Sequence, residues 1–469
     1  MARKFSSTMG FIVAASSSGV GKTTVTSAIC RILRNRGCTV QPFKTGPDFV
    51  DPTYLTLASG RECRNLDGFP CPDLMPFLYD LGCRASGSAP AADIAVIEGV
   101  MGLFDGLGVD GLYSTAWLAL TLSLRVILVV NAHAAATSVA AVVKGFSSLD
   151  PLSPDIAGVI ANQVSSPEHA SLIGEAISRF TGIPLIGWLP VMKDDGFSSR
   201  HLGLVPALER AGTEEMIERY AKELAPRLNV DALMSCSITP LGAYSAPDME
   251  VAPAKPDGSR VRVSVASDDA FGFHYRENWE LLERQGADVI MTSPLHDDSP
   301  PEDTDILILP GGYPEVFSEE LSNNKKYIQW IRNFSKTGFI YAECGGMLYL
   351  CRSMEYEGAV HDMVGLIDVD VKMTKGLQHF GYVEATAKSD NLLFERGTTL
   401  RAHEFHYSKL VGMDASAFSV RKASRKNEEW TDGFALMDGR ILATYLHINF
   451  YSCPGSSARM LKLASYRNR

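Results

Sequence analysis

A glycine-rich loop near the start of the chain constrains the fold more than any other feature. Residues 15–24 read Ala-Ser-Ser-Ser-Gly-Val-Gly-Lys-Thr-Thr, between the apolar run 10–15 and the amphipathic segment 23–34. Small residues between a strand and a helix let backbone N–H groups surround phosphate oxygens, and the helix N-terminus adds partial positive charge. The first half of the chain is therefore predicted to be an α/β domain that binds a nucleotide.

The same loop predicts which side chains contact ATP. We expect Lys22 to reach the β- and γ-phosphates and the Thr23 hydroxyl to bind Mg²⁺. Ser16 stands where this pattern usually has its first glycine, so a solvated Gly/Ser loop before a surface helix is the alternative. The predicted ATP-binding residues are Gly19, Gly21, Lys22, Thr23 and Thr24.

Strand and helix patterns alternate from residue 10 to residue 189. Short apolar runs separated by longer amphipathic segments are typical of a doubly wound parallel sheet. The predicted strands are residues 10–15, 39–43, 94–98, 126–131, 156–161 and 185–189, and the predicted helices include 23–34, 134–146 and 168–180.

Charged residues follow two of these strands. Because parallel strands present their carboxyl ends at one edge of the sheet, we expect these side chains to converge on the nucleotide. Alternatively, the acidic residues cap turns or lie in solvated loops. The candidates for binding substrate or assisting phosphoryl transfer are Lys44, Asp48, Glu98 and Asp105, and the candidate Mg²⁺ ligands are Thr23, Asp48 and Glu98.

A change of composition divides the chain. Residues 237–259 contain four prolines among alanine, serine and glycine, without apolar periodicity. Such a stretch predicts an interdomain linker, with domains at 1–236 and 260–469. In the second domain we predict strands at 261–266, 289–292, 306–309, 339–342 and 441–445, with a more β-like pattern after about residue 365.

A cysteine in the second domain has the surroundings of a nucleophile. Cys344 follows an apolar strand and precedes two glycines, as expected for a tight strand-to-helix turn that exposes a reactive side chain. We expect the helix N-terminus to lower the pKa of the thiol, and the N–H groups of Gly312 and Gly345 to stabilise an oxyanion. His447 is the predicted general base. A buried structural cysteine is the alternative, and His403 and His406 compete for the role of base.

Charge and cysteine usage exclude several other classes of protein. The 44 Lys and Arg residues against 54 Asp and Glu give a net charge of −10, which opposes binding to nucleic acid or anionic lipid. Nine cysteines without metal-ligand spacing indicate a reducing, cytoplasmic compartment. The apolar stretch 115–130 is interrupted by Arg125, so no transmembrane helix is expected. The apolar run 9–15 imitates a signal peptide but leads into the glycine-rich loop.

Taken together, these motifs resemble the cobyrinate a,c-diamide synthase family over essentially the whole chain. Members of that family are similar to dethiobiotin synthetase in the first half and to class I glutamine amidotransferases in the second. The resemblance implies a P-loop doubly wound parallel-sheet domain followed by a class I glutamine amidotransferase-like α/β domain. The segments that carry it are 19–23, 43–48, 64–67, 98–106 and 341–346, and segments 200–204, 293–296 and 403–407 agree with it.

The resemblance also implies the chemistry. Cys344 would hydrolyse glutamine through a thioester, and the released ammonia would pass to the first domain. There, ATP and Mg²⁺ would convert the a and c acetates of a cobyrinate-type tetrapyrrole into acyl phosphates, which ammonia converts into amides in cobalamin biosynthesis. The implied partners are therefore the tetrapyrrole acid, ATP and L-glutamine, with no nucleic acid or membrane, and the oligomeric state, including a homo-oligomer, stays open.

Two positions depart from the family pattern. Asn449 stands two residues after His447, where class I amidotransferases usually have a glutamate, and we expect its uncharged side chain to orient the imidazole less strongly. Phe49 replaces a more usual tyrosine near the expected substrate carboxylate. That change keeps open the same diamidation of sirohydrochlorin, its nickel form, sirohaem or hydrogenobyrinate.

Two more distant alternatives fit the sequence less well. Cobyric acid synthase shares both domains but lacks the stretch found at 98–106. A P-loop switch ATPase of the partitioning type would carry a lysine early in the loop, where residues 16–18 are all serine here. Such an ATPase would also have no use for the motif around Cys344.

Overall fold

The computed structural model divides the chain into two compact units, Met1–Ala246 and Pro247–Arg469. It describes residues 2–4, 8–85, 89–192, 212–241, 243–425 and 428–466, so the family segment 200–204 lies outside the described residues. The division falls within the predicted linker, 237–259. The first part of that stretch is bonded to the first unit, where the Gly10 N–H donates to the Ile238 carbonyl at 2.9 Å.

The first unit is an α/β layer structure. Its strands are β1 Ala2–Lys4, β2 Met9–Ala15, β3 Val40–Thr45, β4 Arg64–Leu66, β5 Ile94–Glu98, β6 Val126–Asn131, β7 Ile156–Val164, β8 Leu185–Pro190 and β9 Ala243–Ser245. Its helices are α1 Lys22–Asn35, α2 Asp51–Ser59, α3 Met75–Cys83, α4 Thr115–Leu122, α5 Ser138–Phe146, α6 Pro167–Thr181, α7 Thr213–Leu224 and α8 Val230–Cys236.

Seven parallel strands form the main sheet of this unit, in the order β4-β3-β5-β2-β6-β7-β8. This pairing confirms the predicted parallel sheet. Strands β2, β5 and β6 bury continuous apolar runs, as strands covered on both faces do. The predicted start of α5 at residue 134 is wrong. Ala134 has φ of 52°, a left-handed conformation that interrupts a helix, and α5 begins only at Ser138.

The second unit combines a central sheet with two smaller ones. Its strands are β10 Arg262–Ala266, β11 Asp288–Thr292, β12 Ile306–Leu309, β13 Phe339–Glu343, β14 Cys351–Tyr356, β15 Ala359–Asp362, β16 Ile367–Met373, β17 His379–Ala387, β18 Thr399–His406, β19 Ser408–Gly412, β20 Phe418–Lys422, β21 Glu429–Asp432, β22 Phe434–Leu436 and β23 Ile441–Thr444. Its helices are α9 Arg276–Arg284, α10 Ser318–Asn323, α11 Lys325–Phe334, α12 Gly345–Leu350 and α13 Pro454–Ser465.

The central sheet has the order β11-β10-β12-β13-β23-β22, and only the β22–β23 pair is antiparallel. Two four-stranded sheets, β15-β14-β16-β19 and β18-β17-β20-β21, follow from β14 onward. The β-rich part therefore begins at Cys351, earlier than the pattern near residue 365 indicates. Among the described residues, no helix is both long and apolar enough to cross a bilayer.

Candidate active sites

The glycine-rich loop joins β2 to α1 and has the backbone that its sequence predicts. Gly19 and Gly21 have φ of 78° and 96°, conformations that side chains other than glycine rarely adopt. The Nδ2 of Asn162, on β7, donates to the Val20 carbonyl at 2.8 Å. A Cβ atom on Gly21 would lie 2.3 Å from that Nδ2, so the close approach of β7 also requires glycine.

A cavity of about 290 Å³ opens above this loop, at the carboxyl edge of the parallel sheet. Edges of this kind are where open α/β sheets bind ligands. The cavity is lined by Ser18, Gly19, Gly21, Lys22, Thr23, Thr24, Lys44, Asp48, Asp51, Val100, Met101, Asn162, Gln163, Pro190, Met192 and Tyr220.

A buried charge cluster forms one wall of the cavity. The parallel register of β3 and β5 places Lys44 opposite Glu98, and Lys44 Nζ lies 2.8 Å from Glu98 Oε1. Lys44 also forms ion pairs with Asp51 and, at 3.4 Å, with Asp48. The Thr23 hydroxyl donates to the same Glu98 oxygen at 2.7 Å. The cluster therefore links the start of α1 to two neighbouring strands.

Burial and mutual attraction shift the protonation of this cluster. Burial raises the pKa of Glu98 to about 7 and that of Asp48 to about 6, although Lys44 acts in the opposite direction. Burial also opposes the charge of Lys44, but the surrounding carboxylates hold its pKa well above the usual range. At Asp51 burial is outweighed by Lys44, so the pKa of this carboxyl is lowered. For Lys22, burial and the nearby Lys44 lower the pKa.

Lys22 and Asp105 differ in how far they enter this site. Lys22 lines the cavity, and its ammonium donates to the carbonyls of Met101 and Ser17. Asp105 is exposed and does not line the cavity. Its carboxylate accepts a bond of 2.9 Å from the Gly102 N–H, so it shapes the loop after β5.

In the second unit, Cys344 occupies a strained turn between β13 and α12. Its φ of 41° and ψ of −106° lie outside the conformations common for residues with a side chain. Backbone bonds fix the turn: Cys344 N–H donates to the Thr444 carbonyl at 2.7 Å and Gly346 N–H to the Pro310 carbonyl at 3.0 Å. This is the geometry of a nucleophile elbow.

The two predicted oxyanion glycines approach each other. A Cβ on Gly345 would lie 2.9 Å from the backbone nitrogen of Gly312, and a Cβ on Gly312 would lie 1.9 Å from the Ala270 carbonyl oxygen. Glycine at both positions therefore lets two backbone segments pack directly on one another. This packing places the Gly312 nitrogen beside Gly345, the residue that follows Cys344.

His447 lies beside the same turn. Strands β13 and β23 pair in parallel with Glu343 opposite Thr444. Cys344 directly follows β13, and His447 lies three residues after the end of the neighbouring β23. A Cβ on Gly311 would lie 2.4 Å from His447 Cε1, which places the imidazole against the segment that carries the oxyanion glycines. The structure therefore gathers Cys344, His447 and Gly312 at one point of the second unit.

The competing histidines are buried in the neighbouring β18. Burial lowers the pKa of His403 to about 3 and that of His406 to about 4, so both are neutral near pH 7. His406 has a partner at each ring nitrogen, Glu404 Oε1 and the Ser408 carbonyl oxygen, both at 3.0 Å. The backbone of His403 pairs with that of His447. The two contacts of His406 indicate that it holds β18 in place. His447 is therefore the better candidate for the base.

Sequence comparisons agree with this division of the molecule. Residues 11–202 match the CobQ/CobB/MinD/ParA nucleotide binding domain, and residues 262–454 match the CobB/CobQ-like glutamine amidotransferase domain. The chain is 41% identical over 452 residues to the cobyrinate a,c-diamide synthase of Salmonella typhimurium, covering 95% of both chains. It is 42% identical to the Listeria monocytogenes serovar 1/2a protein of the same name, covering 94% of this chain and 96% of that one.

The chain belongs to the cobyrinate a,c-diamide synthase family. This membership confirms the α/β fold class, with a P-loop domain followed by a glutamine amidotransferase domain. It also confirms the expectation of an amide-forming ligase that uses glutamine. A partitioning-type switch ATPase shares only the first domain, whereas members of this family match the chain through both.

The prediction that the helix N-terminus lowers the pKa of the Cys344 thiol is wrong. Burial, together with the charge of Glu315, raises the pKa of Cys344, and the hydrogen bond with the Gly345 backbone offsets only part of that rise. Cys344 is 7% exposed, and its Sγ lies 3.8 Å from the Phe405 carbonyl oxygen. Forming the thiolate therefore requires a base at the moment of reaction.

The expected role of Asn449 is also corrected. Its Nδ2 donates to Glu277 Oε1 at 2.8 Å, and its Oδ1 accepts from the Tyr451 N–H at 3.0 Å. These bonds cap the short 3₁₀ turn at Phe450–Ser452. Asn449 is thus tied to α9 and to its own turn and does not serve as the partner of His447.

Some cavity residues were not predicted. Asp51, Asn162, Gln163 and Tyr220 line the nucleotide cavity. Asn162 and Gln163 lie at the carboxyl end of β7, and that position is the signal that marks them. Tyr220 lies on α7, and no motif in its sequence surroundings points to the cavity.

Removing the Lys44 charge is expected to destabilise the first unit. Lys44 is 2% exposed, and Lys44→Met leaves buried carboxylates without their cation, at a cost of about 3 kcal/mol. The loss should be larger at pH 8 than at pH 6, because Glu98 and Asp48 take up protons as the pH falls below their pKa values of about 7 and about 6. Thermal melting, followed on the transition that ATP shifts, measures this effect.

The double variant Lys44→Met/Glu98→Gln provides the matched control for this prediction. Removing both charges relieves the repulsion, so it should recover part of the lost stability. A Lys44→Met protein that melts at the wild-type temperature at both pH values would contradict the charge cluster.

Proposed function

We propose that the protein amidates the a and c acetate carboxylates of a cobyrinate-type tetrapyrrole, with ATP and glutamine, in cobalamin biosynthesis. The observation that carries this proposal is the presence in one chain of a P-loop cavity lined by Lys44, Asp48 and Asp51 and a cysteine elbow beside His447. Relatives that match both domains are named cobyrinate a,c-diamide synthase. The two sites supply the two halves of one reaction.

The first site activates the carboxylate. A carboxylate is a poor acyl donor until one oxygen becomes part of a phosphate leaving group. The γ-phosphate of ATP passes to the substrate carboxylate and gives an acyl phosphate and ADP. Lys22 and the loop N–H groups balance the charge that develops on the phosphate oxygens, and Lys44 holds an acidic substrate group close by.

Side chains at this site also fit a magnesium ion. Among the described residues, no group of three or more His, Cys, Asp or Glu side chains could hold a metal ion. Mg²⁺ at nucleotide sites is instead bound through one or two protein oxygens and the phosphates. Glu98 Oε2 is buried without a hydrogen-bond partner, next to the Thr23 hydroxyl. Glu98, Thr23 and the nearby Asp48 would hold the ion, which would supply positive charge to neutralise the phosphates.

The second site releases ammonia. His447 takes the proton of the Cys344 thiol, and the sulfur attacks the side-chain amide carbon of glutamine. The oxyanion is stabilised by the N–H groups of Gly312 and Gly345. His447 returns the proton to the leaving ammonia, and water then hydrolyses the thioester to glutamate. Ammonia attacks the acyl phosphate, and phosphate leaves.

The same chemistry on another macrocycle is the second candidate. Phe49 follows Asp48 at the cavity and replaces the tyrosine expected from the family pattern. Because this hydroxyl is lost near the substrate carboxylate, the alternative substrates are sirohydrochlorin, its nickel form, sirohaem and hydrogenobyrinate.

All nine cysteines are free, which fits a cytoplasmic enzyme.

Hydroxylamine tests the acyl phosphate. With cobyrinic acid, ATP and Mg²⁺ but no glutamine, hydroxylamine should replace ammonia and yield a hydroxamate, with one ADP formed for each hydroxamate. Formation of AMP would contradict an acyl phosphate and indicate an acyl adenylate. Formation of ADP without hydroxamate would separate ATP hydrolysis from carboxylate activation and overturn the proposal.

A further inference from the structure

A buried carboxylate faces the imidazole of His447. Glu343 Oε2 lies 3.6 Å from His447 Nδ1, and both side chains are 4% exposed. Glu343 is the last residue of β13 and immediately precedes Cys344. The chain therefore places an acidic group between the strand of the nucleophile and the segment that carries the base.

Hydrogen bonds fix the orientation of this carboxylate. Its Oε1 accepts from the Tyr341 hydroxyl at 2.5 Å and from the Ile448 N–H at 3.1 Å. Because both donors bind Oε1, Oε2 is left to face the imidazole. The bond to Ile448 also ties Glu343 to the residue that follows His447, so the carboxylate and the ring are held by the same backbone.

Three other groups near His447 are engaged elsewhere or carry no charge near pH 7. Asn449 bonds to Glu277 and Tyr451. The ring also meets Gly311, where a Cβ would lie 3.2 Å from Nδ1. The His403 ring, from β18, is centred 6.4 Å away and is neutral near pH 7 because burial lowers its pKa to about 3.

Three further titratable groups interact electrostatically with this pair. His274 feels the charge of Glu343, but burial lowers its pKa to about 4, so it is neutral near pH 7. His447 influences Glu404 and His406 of β18, which are bonded to each other. Burial raises the pKa of Glu404 to about 7. Glu343 Oε2 is the carboxylate oxygen found 3.6 Å from the imidazole Nδ1.

We propose that Glu343 is the positioning residue of the glutaminase site, replacing the glutamate that class I amidotransferases carry two positions after the histidine. This inference rests on the proposed roles of Cys344 and His447. The carboxylate selects the tautomer with the proton on Nδ1 and stabilises the imidazolium that forms when the other ring nitrogen takes the thiol proton. The distance of 3.6 Å between Glu343 Oε2 and His447 Nδ1 is longer than a hydrogen bond, and catalytic contacts of this kind shorten when substrate binds.

Glu343→Gln tests this role. The glutamine Oε1 still accepts from Tyr341 and Ile448, so the substitution removes the charge and keeps the bonds. We expect glutaminase kcat to fall roughly 10- to 100-fold with KM within about twofold, since positioning acts on the chemical step. The acid limb of the kcat profile should move to lower pH, because a neutral amide stabilises the protonated imidazole less than a carboxylate does.

Asn449→Ala is the matched control. It should lower the melting temperature, since a buried cap is lost, while kcat stays within about twofold and the acid limb does not move. A wild-type circular dichroism spectrum and melting profile verify the fold of Glu343→Gln. If that variant does not accumulate as folded protein, Glu343→Asp decides, because it keeps the charge and should keep the wild-type acid limb with a reduced kcat.

The inference is overturned if Glu343→Gln retains wild-type kcat, if its acid limb stays in place, or if Asn449→Ala moves the limb instead. With Glu343→Asp, a displaced acid limb overturns it equally. A wild-type protein without glutaminase activity, or a Cys344→Ala protein that retains it, would instead refute the proposed function.

Discussion

The Cys344→Ala variant is expected to lose glutamine-dependent amide synthesis by about 10³-fold or more, as removal of a covalent nucleophile does. Synthesis from ammonium at high concentration and elevated pH should continue near the wild-type rate. The reason is that ammonia bypasses the thioester but still needs the acyl phosphate. Product formation with each nitrogen source, measured on the same preparation, checks both halves of this prediction.

Cys351→Ala is the matched control in the same unit. Cys351 is buried in the core and its thiol donates to the Met347 carbonyl, so its loss should affect stability more than the choice of nitrogen source. If Cys344→Ala is folded and both activities vanish, the assignment of Cys344 to glutamine alone fails. Retained glutamine-dependent synthesis would remove Cys344 as the nucleophile.

Lys22→Met should give the opposite pattern. Synthesis with glutamine and with ammonium should both fall by roughly 10³-fold or more, since groups that balance charge in phosphoryl transfer have effects of this size. Methionine keeps much of the length of lysine but supplies no charge. Glutaminase activity should remain, because Cys344 and His447 belong to the other unit. Parallel assays of glutamate, ADP and amide formation measure the three quantities.

Lys222→Met controls for loss of a lysine from this unit. Its side chain is 75% exposed on α7 and pairs with Glu218 at 3.9 Å, so its removal should change none of the three rates. ATP-dependent synthesis that survives Lys22→Met would contradict the nucleotide site at the P-loop.

The nucleotide site could be predicted because its residues stand at the ends of parallel strands. Lys44 and Glu98 come at the carboxyl ends of predicted strands, and the register of β3 and β5 brings them opposite each other. The same rule applies to Asn162, which directly follows the predicted strand 156–161, but the candidates chosen there were charged residues only. Polar Asn162 and Gln163 look like the start of a loop, whereas β7 continues to Val164.

Other features depend on contacts that no local pattern encodes. Spacing assigned Asn449 to the histidine, but the chain turns at Phe450 and the amide caps that turn. The carboxylate that faces His447 comes from Glu343, far away in sequence and close only through the pairing of β13 with β23. The thiol pKa likewise depends on burial in the folded unit, which outweighs the local effect of the helix N-terminus.

The most direct test of the account is the product formed from a panel of tetrapyrrole acids. The purified protein would be incubated with ATP, Mg²⁺, glutamine and either cobyrinic acid, hydrogenobyrinic acid, a sirohydrochlorin or sirohaem, and the products analysed by mass spectrometry. We predict that cobyrinic acid gains two amides, that both require ATP, and that Lys22→Met forms neither. Two amides on another macrocycle with none on cobyrinic acid would contradict the proposed substrate, and ATP hydrolysis without any amide would contradict the proposed reaction.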